Sequence, residues 1–256
     1  MPPVIERQQQ AASLLSDNHW QSTILATKYF ELFSAYPSDL EQAPSLTVYI
    51  EGDGLAWLTR TRISVNPTPI NPVGLKLALQ EPSKAVAYLA RPCQYIETSD
   101  QTSCSQVYST QQRFAPEVIA ASSEAIDKLK KRFNTQELVL VGYSGGSAVA
   151  ALLAAQRNDV TKLITVAANL NHKAWTDFHH ISPLIGSLNP IDYHEKLATI
   201  EQVHFVGGND EIIPPFLMES FVAALPSATK TELSVMNNQG HSCCWQVIWK
   251  QLKQGL

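Results

Sequence analysis

Between Glu137 and Gln156 the chain passes from a β-prone run, Glu137-Leu138-Val139-Leu140-Val141, through Gly142-Tyr143-Ser144-Gly145-Gly146, into a run of small and apolar residues. A strand that turns into a helix within so few residues needs glycines where a Cβ would collide with the turn. The same turn leaves Ser144 at its apex, at the positive end of the following helix. A chain that must build such a corner needs a buried strand feeding a helix. The predicted fold class is therefore α/β, a mostly parallel sheet with helices on both faces.

The rest of the chain keeps this beat. Ser22 to Tyr36 alternates and supplies one or two opening strands, and Leu46 to Ile50 is a compact apolar run ending at Glu51-Gly52-Asp53-Gly54. Further strands are predicted over Lys84–Ala90, Leu163–Ala167, Val203–Val206 and Thr231–Met236. Helices are predicted over Asn71–Gln80, Pro116–Phe133, Gly146–Gln156, Pro214–Ala224 and Cys243–Leu252, the last with Trp245 and Trp249 on one face. Residues 168–199 break the rhythm with Pro183, Pro190 and several histidines, which reads as a short cap-like insertion over one end of the sheet. With Leu55–Asn71 it is expected to wall a pocket, because ligands of open α/β sheets bind at the carboxyl ends of the strands. At 256 residues, 1–256 is expected to form a single domain.

Composition removes several function classes. With 19 basic against 23 acidic residues, the cluster Lys128, Lys130, Lys131 and Arg132 suits the C-terminus of a helix better than a nucleic-acid footprint. No apolar stretch approaches the ~20 residues of a bilayer span, so no integral membrane segment is expected. Met1 to Gln10 lack the basic end and apolar stretch of an export signal. As it reads the chain is expected in the cytoplasm, with export or a periplasmic location left open by a removed signal. Four cysteines without paired CxxC spacing do not make a zinc site. Cys93 and Cys104 flank a Ser/Thr/Gln-rich loop that a bridge could close, with two free thiols the alternative. Cys243 and Cys244 are expected to pack in the last helix.

A serine hydroxyl needs a base within hydrogen-bond reach and a third group to orient that base. Asp210 follows the Val203–Val206 strand through Gly207-Gly208-Asn209, and His241 follows Thr231–Met236 through Asn237-Asn238-Gln239-Gly240. Nucleophile Ser144, acid Asp210 and base His241 thus stand in the order Ser…Asp…His, each past the end of a strand. Asp192 is the runner-up acid. His172, His179, His180 and His194 fall in the insertion and read as polar cap residues rather than metal ligands. Gly145, after the nucleophile, offers one N–H to an oxyanion, and Asp53 is the first choice for the second, with Gly54 behind it. The Asp53 side chain is expected to point away and cap the following turn; if it faces the serine instead, the donor assignment is wrong. Gly54, Trp57, Arg60 and Tyr143 are candidate substrate contacts, Arg62 and Trp175 weaker ones.

From about Ser22 onward the chain resembles the α/β-hydrolase superfamily. Tyr49-Ile50-Glu51-Gly52-Asp53-Gly54, Arg91-Pro92-Cys93-Gln94-Tyr95, Arg113-Phe114-Ala115-Pro116-Glu117-Val118 and the elbow look like a bacterial group of serine hydrolases with no assigned substrate. The resemblance implies a fold and a reaction type. It also implies a link to exported or lipid-anchored proteins, which a Cys93–Cys104 bridge would suit. The His-Gly start usual in the oxyanion loop is replaced by Glu51-Gly52, and no long lid is visible. The expected activity is a carboxylesterase-type serine hydrolase acting on a small or medium acyl ester, with no cofactor and no metal. A thioesterase, a peptidase and a non-catalytic binding module of the same fold are the alternatives.

Overall fold

The structure, a computed structural model, describes residues 1–96 and 104–255. Eight strands form one sheet: β1 (Trp20–Ala26), β2 (Glu31–Pro37), β3 (Ser45–Ile50), β4 (Val86–Leu89), β5 (Glu137–Tyr143), β6 (Val160–Val166), β7 (Glu201–Gly207) and β8 (Thr231–Met236). Their spatial order is β1-β2-β4-β3-β5-β6-β7-β8. β2 runs antiparallel to both its neighbours, and every pairing from β4 to β8 is parallel. The expected α/β class with a mostly parallel sheet is present. β6 begins three residues before its predicted start and β7 two, because half-exposed Lys162 and Glu201, paired at 2.7 Å, extend the ladder beyond the apolar runs.

Alternation along the strands divides the core between the two faces. In β3 and β5, Leu46, Val48, Ile50, Leu138 and Leu140 face α3 (Pro116–Phe133) and α4 (Gly145–Gln156), and α7 (Pro215–Ala224) covers β7 and β8 on the same side. Tyr49, Val141 and Tyr143 turn to the other face, against α2 (Val73–Ala78) and α8 (Trp245–Lys253), while α1 (Val4–Asp17) covers β1 on that side. Being covered on both sides is what makes the central strands continuously apolar. α4 is buried over eleven of its twelve residues, hence its all-round apolar sequence.

The helix α1 lies where the sequence reading placed no element. Only Arg7, Ala11 and Leu15 are buried on it, a stripe too thin to stand out among three glutamines. Arg7 donates to the carbonyls of Asn66 and Thr68, so α1 braces the segment Leu55–Asn71 from behind. The 168–199 segment holds α5 (His172–Phe178), a 3-10 turn at Pro190–Tyr193 and α6 (His194–Leu197), docked through buried Leu170, Leu184 and Leu197. Among the described residues no helix is long and apolar enough to cross a membrane.

Cys93 and Cys104 are bridged, with their Cα atoms 5.6 Å apart. The Ser/Thr-rich stretch between them, 97–103, lies outside the described residues. Cys243 and Cys244 are bonded to each other and precede α8 rather than packing within it, so the expectation for that pair is corrected. Their backbone groups are engaged instead in the turn carrying His241: Gly240 N donates to the Cys243 carbonyl and Cys244 N to Gln239 Oε1.

Candidate active site

At the carboxyl end of β5 the chain turns into α4 at Ser144, whose φ of 51° and ψ of −122° belong to a strained corner. The corner is held by Ser144 N donating to the Val166 carbonyl and by Ser147 Oγ donating back to the Gly142 carbonyl at 2.7 Å. A Cβ on Gly146 would overlap the carbonyls of Ile50 and Glu51, so only glycine lets α4 start this close to the end of β3.

Three strand-end loops meet above the corner. Ser144 Oγ lies 2.9 Å from His241 Nε2, and His241 Nδ1 lies 2.8 Å from Asp210 Oδ2. The second Asp210 oxygen accepts the N–H groups of Ile212 and Ile213 at 2.9 and 2.8 Å, which orients the buried carboxylate before it meets the ring. His241 is held through its carbonyl by Trp245 Nε1 at 2.9 Å and by the Tyr143 hydroxyl at 3.2 Å. Burial, with Glu51, Asp210 and Asp53 nearby, raises the Tyr143 pKa, so the hydroxyl stays protonated and donates. Asp192, the runner-up acid, sits in the 3-10 turn of the insertion, away from the imidazole.

The four histidines of the insertion also stay out of the cleft. His172 is buried beside Phe114, His179 lies 2.8 Å from the Ile212 carbonyl, and His194 lies 3.0 Å from the Ile191 carbonyl. Burial lowers the His172 pKa. Among the described residues no group of three His, Cys, Asp or Glu side chains could hold a metal ion.

Ser144 opens into a cleft of about 430 Å³. Gly54, Trp57 and Tyr143 line it, as does Trp175 from α5. Arg60 and Arg62 do not: both are exposed on the short turn closed by the Trp57–Ile63 bridge, where the chain doubles back before reaching the cleft. The arginine that reaches the cleft is Arg113, laid over the Trp175 ring at 5.9 Å.

The loop after β3 is anchored by its first residue. Fully buried Glu51 accepts hydrogen bonds from Gly52 N and Gly74 N on Oε1, and from Leu75 N and the Tyr88 hydroxyl on Oε2, all between 3.0 and 3.2 Å. Burial raises its pKa against these four bonds, which favour the ionised form. Gln94 completes the cradle, donating to the Gly52 carbonyl at 3.0 Å and accepting from Arg91 N at 3.1 Å. The N–H groups of Asp53 and Gly54 have no partner among the described residues.

The Asp53 side chain departs from expectation. It does not cap the following turn; its carboxylate lies beside the start of α4, where a Cβ on Gly145 would overlap it. It accepts from Arg113 Nη1 at 2.6 Å and from Arg91 Nη1 at 3.2 Å. Burial works against its charge, and the two guanidiniums overcome that, holding its pKa below the usual carboxylate range. Arg91 and Arg113 lie within the motifs Arg91-Pro92-Cys93-Gln94-Tyr95 and Arg113-Phe114-Ala115-Pro116-Glu117-Val118, which by themselves assign neither a role. The available signal was the acid itself, since a carboxylate inside a Gly-rich catalytic loop needs a cationic partner.

No family model matches the chain, and no curated protein matches it in sequence. Solved structures do. An α/β serine hydrolase homologue from Coxiella burnetii superposes with a TM-score of 0.61 at 14% identity, over 91% of this chain and 94% of that one. An α/β serine hydrolase without a lid from Xanthomonas campestris gives 0.56 at 15% identity, over 93% and 95%. An esterase from Pyrococcus furiosus gives 0.66 at 12% identity, over 94% and 91%. At these identities the likeness carries architecture rather than chemistry, and that architecture is the α/β-hydrolase fold.

Proposed function

We propose that this chain is a serine hydrolase of the carboxylesterase type, acting on small or medium acyl esters as a single α/β-hydrolase domain with 168–199 as a short cap. The observation that carries the reading is the unbroken chain of contacts from Ser144 Oγ to His241 Nε2 at 2.9 Å and from His241 Nδ1 to Asp210 Oδ2 at 2.8 Å. With Nδ1–H donating to Asp210, Nε2 is left to accept the serine proton.

Ser144 Oγ attacks the acyl carbonyl carbon as its proton passes to His241 Nε2, and Asp210 balances the imidazolium. The carbonyl π bond opens to an oxyanion, which accepts from the N–H groups of Gly145 and Asp53. Collapse re-forms the carbonyl and breaks the ester C–O bond, with the imidazolium handing its proton to the departing alcohol. Water, deprotonated by the same nitrogen, then attacks the acyl-serine and frees the acid and the hydroxyl. Gly54, Trp57 and Tyr143 supply the walls that hold the acyl group. A cleft open to solvent suits small esters.

The test uses p-nitrophenyl esters of short acids, with Ser144→Ala expected to lower turnover by about 10⁶-fold. A fluorophosphonate should label the wild-type chain on the peptide carrying Ser144. Faster turnover of acyl thioesters or aminoacyl amides would reassign the leaving group on the same triad. Absence of both labelling and turnover would leave a binding module in place of an enzyme.

A further inference from the structure

The Asp53 carboxylate stands beside Gly145, at the one place in the cleft where the proposed reaction builds negative charge. An unpaired carboxylate there would repel the oxyanion and favour a permanently protonated His241. The surroundings answer both problems. Arg113 Nη1 and Arg91 Nη1 each take one carboxylate oxygen. The two arginines are themselves fixed: Arg113 Nε donates to the Thr110 carbonyl at 2.6 Å, and Arg91 Nη2 donates to the Arg113 carbonyl. The Arg91 guanidinium also lies over the Phe114 ring at 5.3 Å. Asp53 lines the cleft, and its backbone N–H has no partner among the described residues.

Resting on the hydrolase reading, we propose that Arg91 and Arg113 are positioning residues. By clamping and neutralising the Asp53 carboxylate, they hold its backbone N–H for the oxyanion and keep its charge from opposing the reaction at Ser144 and His241. The groups facing the imidazole are Asp210 on Nδ1, Ser144 on Nε2, the Tyr143 ring at 5.7 Å, and Asp53 across the cleft with Arg113 and Glu51 behind it. Of these, the Asp53–arginine balance is the one a single substitution tips either way.

The experiment is an NMR titration of the His241 ring in Arg113→Met, Asp53→Asn and the double variant, with kcat and KM against pH on a p-nitrophenyl ester and thermal unfolding as a check on folding. Arg113→Met, which removes a cation, and Asp53→Asn, which removes an anion, should move the ring titration in opposite directions. The double variant should return near wild type. Arg113→Met should lower kcat by about 10- to 100-fold with KM little changed, and the second substitution should recover part of that loss. If Arg113→Met fails to fold, the isosteric Asp53→Asn carries the test alone. Folded variants whose ring titration stays put, or moves the same way in both single variants, overturn the proposal. Because the ring titrates without substrate, that result is separable from a wild-type chain that neither hydrolyses esters nor takes the fluorophosphonate, which would overturn the hydrolase reading instead.

Discussion

The indole N–H of Trp245 donates to the carbonyl of His241 at 2.9 Å, tying the imidazole's backbone to a fully buried side chain at the head of α8. The pair links the hydrophobic core beneath the sheet to the residue that must hold its ring against both Ser144 and Asp210. Trp245→Phe keeps most of the buried area and removes this bond, worth about 1 kcal/mol net. The expected outcome is a loss of kcat of about 3- to 10-fold with a far smaller change in KM, read by steady-state ester hydrolysis. An unchanged kcat in a folded variant would show that the Tyr143 hydroxyl holds the carbonyl by itself.

Asp210 receives only donors: the ring on one oxygen and two backbone N–H groups on the other. In Asp210→Asn an NH₂ group must face either the backbone N–H pair or the ring. Facing the ring, it forces Nδ1 to accept and puts the proton on Nε2, where it cannot take one from Ser144. A fall in kcat of about 10³- to 10⁴-fold is expected, with fluorophosphonate labelling slowed in parallel.

His204 is fully buried on β7, its Nδ1 2.8 Å from Thr165 Oγ1 and its Nε2 without a partner among the described residues. Burial lowers its pKa to about 3. Below the ordinary pKa of about 6.5 the unfolded chain takes up a proton that the folded chain refuses, so stability falls as pH falls toward about 3. The expected slope from this residue is about 1.4 kcal/mol per pH unit. Urea midpoints between pH 7 and pH 4 should fall less steeply in His204→Leu than in wild type.

The Cys93–Cys104 bridge closes a loop of sequence separation 11, next to the Arg91 and Gln94 that brace the catalytic loop. Replacing both cysteines by serine should cost about 2–3 kcal/mol of stability, read from denaturant unfolding without reductant. Under the same conditions the denatured wild-type chain should show no thiol reactive toward a colorimetric reagent.

Much of this architecture was legible in one dimension. The strands β3 to β7 announce themselves as short apolar runs because a sheet covered on both faces accepts little else, while the half-exposed edge strand β8 shows only as an alternating run. The elbow at Gly142–Gly146 is legible because its geometry tolerates few residues. The order of Ser144, Asp210 and His241, each past a strand, pointed to their meeting before any distance was known. Elements whose reason lies in a partner far along the chain were not legible. The helix α1 carries too few apolar residues to declare itself, and its role shows only when Arg7 reaches Asn66 and Thr68. Arg60 stood as a candidate contact and Arg113 had no role, since nothing in their neighbours along the chain says which guanidinium the fold turns into the cleft.

What the amino-acid order determined by itself is therefore what local sterics and periodicity determine: buried strands, a sharp glycine corner, and three reactive residues at strand ends. Tertiary structure alone decided the charge balance of the cleft. Whether the Asp53 carboxylate points away or stands beside Gly145 depends on guanidiniums 38 and 60 residues downstream, brought within 3.2 and 2.6 Å of it by the packing of the sheet and α3. Coulombic pairing acts through space, and distance along the chain carries no trace of it.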